Sequence, residues 1–401
     1  MSEKQATDTR RREFRHRGRT SQIPIYLGKQ LRFFINESDW KVIPMAAIIA
    51  GLVAIVIRNK LFLNMEGTLI GAFSLTCVAI WNGSFNSIQS VCRERAIIKR
   101  EHRSGMHISS YVTAHMIYQL LLCLVQTGVT MYVLKLVGVQ FPEKGYFTDW
   151  MIVDIGVTML LITYAADMMS LFLSSISRTT TSAMTIMPFV LIFQLVFSGG
   201  IIPLPPACQG ISGFTVSTYG IRAIASQSAY NEQPMVTAWK TIDGMRDSSI
   251  EKTVTVGDLL EMLNSETVAK YRDETVIPAV TAEQAAELLG MKINEEDKGE
   301  LLSNPVSLGQ LIDFANTDET IRQNLDQGHT IKTTVGDVLN LLGEERVKSL
   351  IQTETAEAAR KPEYERSARN ILINWAMLCV FIFAFAVLAT VSLELIDRDK
   401  R

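Results

Sequence analysis

The chain has 401 residues, 48% hydrophobic and 20% charged, with 39 basic against 41 acidic side chains and a formal net charge of −2. With 24 Gly, 11 Pro and 5 Cys it is not collagen-like, low-complexity or a disulfide scaffold, and its neutrality argues against a nucleic-acid binder. A mean hydropathy of +0.17 is high for a soluble enzyme and low for an all-membrane protein, so the composition is a mixture.

The first 41 residues are polar and basic, with ten Lys or Arg, and they lack the apolar core and cleavage site of a signal peptide. Six apolar stretches follow, at 42–57, 68–90, 111–137, 151–173, 183–202 and 371–393. Each approaches the roughly 20 residues that a bilayer crossing requires. Trp40 and Lys41 stand before the first as interfacial anchors would. The second carries Asn82, Asn86 and Gln89 in its last part, so that part is expected to face protein or water. Lys and Arg are dense in the tail and in the 93–110 loop and sparse at 58–67 and 138–149, which predicts that both termini are cytoplasmic. The expected fold is an α-helical integral membrane protein of six spans.

Between the fifth and sixth spans, residues 233–366 carry 14 basic and 25 acidic side chains, a net of −11. The remainder of the chain is then +9. Alternation places the acidic segment outside the cytoplasm. The sequence thus divides into a basic tail with an amphipathic connecting helix (1–41), spans one to five with a Pro-rich re-entrant stretch (42–232), the acidic domain (233–366), and span six with a short cytoplasmic end (367–401).

The acidic segment repeats a phrase: TVGDLLEML at 255–263, SLGQLIDFA at 307–315 and TVGDVLNLL at 334–342, with a weaker TAEQAAELL at 281–289. Ser or Thr followed three residues later by Asp or Gln is a capping-box pattern, and Val254 with Leu259 and Val306 with Leu311 fit hydrophobic staples. A mainly helical domain is expected, with spacings of 52 and 27 residues between the better copies. Asp258, Asp313 and Asp337 could instead form a metal site, but no Asp-x-Asp-x-Asp-Gly loop orders them.

Catalytic motifs are missing. There is no G-x-x-x-x-G-K-[ST], G-x-S-x-G or H-E-x-x-H, and the five His are scattered. The informative stretch is CRERAIIKREHRSGMHISSYVTAH at 92–115, where acids and bases alternate at the end of span two and Gly105 allows a turn. An interfacial belt on anionic lipid would be purely basic, whereas alternation suits docking on another protein.

This pattern, E-R-x-x-x-x-R-E-x-x-x-G-M-x-x-x-x-Y, resembles the cytoplasmic turn of type-2 ABC exporter permeases, the ABCG-like group. YLGKQLRFFINESDWKVIP from Tyr26 is similar to their connecting helix. FSGGIIPLPPACQGISGFTVSTYGIRA at 197–223 is similar to their span-five end. The resemblance implies an exporter half that works as a homodimer or pseudo-dimer in a lipid bilayer. It implies no cofactor on this chain, with ATP and Mg held by a separate cytoplasmic ABC ATPase subunit. It makes Glu94, Arg95, Arg100 and Glu101 the ATPase-coupling candidates. The acidic segment is longer than the family's usual loop and lacks its cysteines.

Substrate contacts are expected from Asn82, Phe85, Asn86 and Gln89 of span two and from Phe193, Gln194 and Phe197 of span five, with interhelical hydrogen bonding or packing as the alternative. Asp167 is the one acid well inside a span, while Asp154 and Lys135 lie near outer ends and can snorkel. A second class of function stays open, a membrane-anchored sensor or assembly protein displaying the acidic domain.

Overall fold

The computed structural model describes residues 18–36, 39–200, 202, 204–270, 272–273, 307–317, 319 and 328–395. The chain divides into two compact units, Met1–Gln233 with Arg360–Arg401, and Pro234–Ala359. The first unit opens with helices α1 (Arg19–Asn36), α2 (Val42–Ile57), α3 (Met65–Ser87), α4 (Ser90–Arg103) and α5 (Ile108–Val137). It continues through α6 (Met151–Ile176), α7 (Thr180–Val196), α8 (Gln209–Ser212) and α9 (Val216–Gln227). The second unit holds α10 (Thr237–Gly244), β1 (Ser249–Thr255), α11 (Val256–Leu263), α12 (Glu266–Ala269) and α13 (Leu308–Thr317). It ends with β2 (Gly328–Thr334), α14 (Val335–Leu342) and α15 (Glu344–Ala359), after which α16 (Ala368–Glu394) returns to the first unit.

Five helical stretches among the described residues are long and apolar enough to cross a membrane, and they contain α2, α3, α5, α6 and α16. They coincide with five of the six expected spans. The remaining one is represented by α7, apolar but only 17 residues long. Side chains set the boundaries. The Asn64 carboxamide accepts from Gly67 N at 2.7 Å to start α3, and the Ser367 hydroxyl accepts from Asn370 N at 3.2 Å to start α16. Helix α5 stops at Gly138, whose φ of +96° is the left-handed C-terminal turn that glycine adopts without strain.

The core lies between α3, α6, α9 and α16, with Leu75, Ile80, Ile155, Ile162, Ile221, Leu378 and Ile382 buried in one cluster. Two glycines permit the closest approaches. A Cβ on Gly83 of α3 would collide with the Thr163 carbonyl of α6 and lie 3.0 Å from Asp167 N. On Gly220 of α9 it would meet Ile162 Cδ1 at 2.8 Å and Thr76 Cγ2 at 3.1 Å. Along α16, Leu378, Ile382, Ala386, Ala389 and Leu393 face this core while Phe383, Val387 and Val391 are exposed. Such an apolar outer face fits a helix that meets lipid.

Asp154 differs from the snorkelling expected of it. Its side chain is buried and its carboxylate accepts from Tyr146 N at 2.5 Å, Phe147 N at 2.8 Å and the Thr148 hydroxyl at 2.9 Å. Three donors from the preceding loop hold a carboxylate more tightly than a reach to solvent would.

In the second unit β1 and β2 pair antiparallel, with Ser249 opposite Thr334 and Thr255 opposite Gly328. Each TVGD phrase therefore lies at a strand-to-helix junction, a feature that the cap pattern alone does not contain. The caps form as expected: Thr255 and Asp258 exchange bonds of 3.1 and 3.2 Å, and Thr334 and Asp337 complete a capping box. The copy at 281–289 and the side chains of both staple pairs lie outside the described residues. Counted with that copy, the Ser or Thr residues that open the phrase, 255, 281, 307 and 334, fall 26, 26 and 27 residues apart in the sequence, so the repeat is more regular than its better copies suggest. Equivalent positions meet across the unit. Lys252 and Ile331, each three residues before its cap, are register partners, and Asn264 and Asn316, each nine after, exchange amide bonds of 2.9 Å.

Candidate functional site

The charged turn is built by three helices. Helix α3 runs into α4, Gly105 turns the chain at a φ of +100°, and α5 returns. Helix α1 lies along α5 and is bolted to the turn. Gln22 accepts from His107 N at 3.0 Å and donates to the Gly105 carbonyl at 3.2 Å, and the Ser110 hydroxyl donates to the Arg19 carbonyl at 2.8 Å. Further along, Gln30 Nε2 and His115 Nε2 are 2.9 Å apart, and His115 Nε2 is 2.9 Å from the Tyr111 hydroxyl.

The four coupling candidates divide between inward and outward roles. Glu94 is 4% exposed, and its carboxylate meets Lys29 Nζ of α1 at 3.0 Å, while Glu101 meets the same ammonium at 3.6 Å. One lysine thus ties two turns of α4 to α1. Burial, with the charge and hydrogen bond of Glu101, pushes the Tyr26 hydroxyl on α1 up to about 12. Arg95 turns toward α6 and donates to the carbonyls of Ser175 at 2.9 Å and Ser177 at 3.2 Å. The Ser174 hydroxyl at that helix end accepts from Val91 N and Cys92 N at 3.2 and 3.1 Å. Of the four, Arg100 is the exposed one, and Ile97 and Arg103 on the same helix are exposed with it. A rigid α4, clamped to α1 and α6 on one side, thereby offers an apolar and basic strip on the other.

The expected path residues also separate. Phe85 of α3, Gln89 just before α4 and Phe193 of α7 are exposed, and Trp81 continues the α3 face, its ring 5.6 Å from that of Phe85. The rings of Phe193 and Phe197 lie 5.0 Å apart, tilted by 38°. Asn82 is buried inside the unit. Asn86 and Gln126 of α5 exchange two amide bonds, at 2.8 and 3.0 Å, so Asn86 is a tie between helices. Gln194 is likewise a tie. It is buried, its side-chain oxygen accepts from Val216 N at 2.8 Å, and its backbone carbonyl takes the Ser217 hydroxyl, which seats the first turn of α9 against α7.

Asp167 is fully buried at the meeting of α3, α5 and α6, where the Cys123 thiol points to Oδ2 at 3.9 Å. Lys29, Gln30, His115, Gln119, Cys123 and Gln126 were not singled out by sequence. The signal for the last three was present, since Gln119, Cys123 and Gln126 recur at spacings of four and three within an apolar span, as Asn82, Asn86 and Gln89 do. The three aspartates of the acidic segment do not converge. Asp258 and Asp337 serve their own caps, and Asp313 pairs with Arg272. Among the described residues no group of three or more His, Cys, Asp or Glu could hold a metal ion.

Residues 33–227, from the end of α1 through α9, match the family ABC-2 type transporter. That stretch of the chain is therefore similar to the membrane domain of ABC-2 type transporters. It is also 32% identical over 156 residues to an ABC transporter ATP-binding/permease protein of Mycobacterium tuberculosis, a match that covers 37% of this chain and 17% of that protein. The chain therefore spans about a sixth of the length of that relative. The charged turn, the Asn86–Gln126 tie and α9 all belong to the permease match, whereas the second unit lies beyond it.

Proposed function

We propose that this chain is the membrane subunit of an ABC exporter and that a separate cytoplasmic ABC ATPase drives it. The carrying observation is the clamped turn, in which α4 joins α1 through Lys29 and α6 through Arg95 while Ile97, Arg100 and Arg103 stay exposed. A helix held this way moves as one body with the helices behind it, so a push on its outer strip reaches α6 rather than dissipating in a loop. Glu94, Arg95 and Glu101 act as positioning residues here, and Arg100 is the one that touches the ATPase.

In this reading both termini and the charged turn are cytoplasmic, and α7 completes six spans. Its 17 residues give about 25 Å, near the lower limit for a crossing. Residues 233–366 then lie outside as an inserted domain. Two copies, or this chain with a related one, enclose the path in the bilayer, and the exposed Phe85, Gln89 and Phe193, with the half-buried Phe197 packed on Phe193, supply substrate contacts. ATP and Mg belong to the partner. Closure of two ATPases would shift the permease between inward-open and outward-open states. The experiment is reconstitution of the full chain with its co-purified ATPase in lipid vesicles. ATP hydrolysis that depends on the permease and falls with Arg100→Ala supports the reading.

A further inference from the structure

We propose that Thr158, Gln227 and Trp375 are positioning residues of a clasp that holds α6, α9 and α16 as one body, at the end of α6 opposite the charged turn. The observation is a closed circuit of contacts through three helices. Trp375 Nε1 of α16 donates to the Thr158 hydroxyl of α6 at 2.8 Å, across 217 positions of sequence. That hydroxyl donates to Gln227 Oε1, at the end of α9, at 2.9 Å. Gln227 Nε2 in turn donates to the Asp154 carbonyl of α6 at 3.1 Å. The Asp154 carboxylate accepts from Phe147 N at 2.8 Å, and the Phe147 ring lies 5.3 Å from that of Trp375, which closes the circuit.

Chemistry sets the direction of each step. An indole N–H can only donate, so the Thr158 oxygen is the acceptor there and keeps one hydrogen of its own. Gln227 Oε1 takes that hydrogen at a shorter distance than the Asp154 carbonyl, which lies 3.3 Å from the hydroxyl. The reverse amide orientation would press Oε1 against that carbonyl, two acceptors with no hydrogen between them. Thr158, Gln227 and Asp154 are buried, at 0%, 1% and 1% exposure, so water does not replace a lost partner. Removing one member leaves its neighbours unsatisfied, and the circuit fails as a unit. Thr158 lies about 26 Å along α6 from Ser175, at a rise of 1.5 Å per residue. Arg95 and Ser174 bolt α4 to that far end of the helix. A displacement delivered to α6 by α4 is therefore carried to α9 and α16 together. This use of the clasp rests on the exporter reading. The clasp itself does not, and its test needs no ATPase.

The test is hydrogen exchange of the tryptophan indoles, followed by nuclear magnetic resonance of the full-length, nitrogen-labelled chain in phospholipid nanodiscs. Trp375→Phe assigns the Trp375 resonance among the five tryptophans. In the wild type its indole hydrogen should exchange at least about tenfold more slowly than that of Trp150, which is 68% exposed. Thr158→Val should speed that exchange about tenfold, and so should Gln227→Leu, although Gln227 stands two bonds away from Trp375 in the circuit. Thr158→Ser keeps the hydroxyl and should keep the exchange slow. Asn86→Leu, which breaks a tie between α3 and α5, should keep it slow as well. Wild-type exchange as fast as that of Trp150 overturns the proposal. So does slow exchange in Gln227→Leu, fast exchange in Thr158→Ser, or an equal acceleration by Asn86→Leu.

Discussion

Lys29 of α1 and Glu94 of α4, 65 positions apart in the chain, meet at 3.0 Å with Glu94 almost sealed from solvent. The pair joins the helix that precedes the first span to the turn that follows the second. Breaking a buried pair by removing one partner leaves the other charge uncompensated, at a cost of about 3–5 kcal/mol. Lys29→Met should therefore lower the thermal unfolding midpoint of the detergent-solubilised chain substantially. Arg93→Ala should change it little, because the Arg93–Asp39 contact at 3.6 Å is more than a third exposed on both sides.

Gly83→Ala tests the contact of α3 with α6. The added methyl collides with the Thr163 carbonyl, and neither backbone can yield without shifting a helix. Overpacking of this kind costs about 1–3 kcal/mol. Gly128→Ala on α5, where a Cβ meets nothing within 4 Å, is the control and should be neutral in the same unfolding measurement.

The reciprocal Asn86–Gln126 amides predict a measurable coupling. A double-mutant cycle of Asn86→Leu and Gln126→Leu in bilayers should give an interaction energy of about 0.6 kcal/mol, with an upper bound near 1.7. An energy indistinguishable from zero would mean that these amides face another partner in the assembled protein.

Acidification should loosen the start of α14. Asp337 is held below its ordinary carboxylate value by the Thr334 hydroxyl first and the Thr334 backbone second. A lowered value in the folded state means that the contribution is present above the ordinary carboxylate range near 3.9 and is lost as the pH falls through the lowered value. Amide exchange of Asp337, whose N–H donates to the Thr334 hydroxyl at 3.1 Å, corrected for its intrinsic pH dependence, should rise in that acid window. In Thr334→Ala the exchange should be fast already at neutral pH.

Much of the fold could be read from sequence because single patterns fix it. An apolar run ends where the polar residues begin, and 42–57 coincides with α2. The caps at Thr255 and Thr334 were legible for the same reason, since a cap is decided by residues three apart. The strands before them were not, because β1 and β2 find each other across 79 residues and nothing local announces the pairing. The site divides in the same way. Glu94 and Arg95 stood out as charges beside a membrane span. Their roles come from Lys29 and from the carbonyls of Ser175 and Ser177, which only the folded chain brings near. Gln194 looked like a path residue because an amide in an apolar span demands a partner, and the partner is the backbone of α9.

The most direct measurement purifies the tagged full-length chain from its native membrane in mild detergent and quantifies what comes with it. The account predicts an ABC ATPase subunit in stoichiometric amount. It further predicts that Arg100→Ala weakens that association or its ATP hydrolysis at least tenfold, a loss of about 1.4 kcal/mol, while the unfolding midpoint is unchanged. A preparation in which no ATPase subunit accompanies the wild-type chain would contradict it.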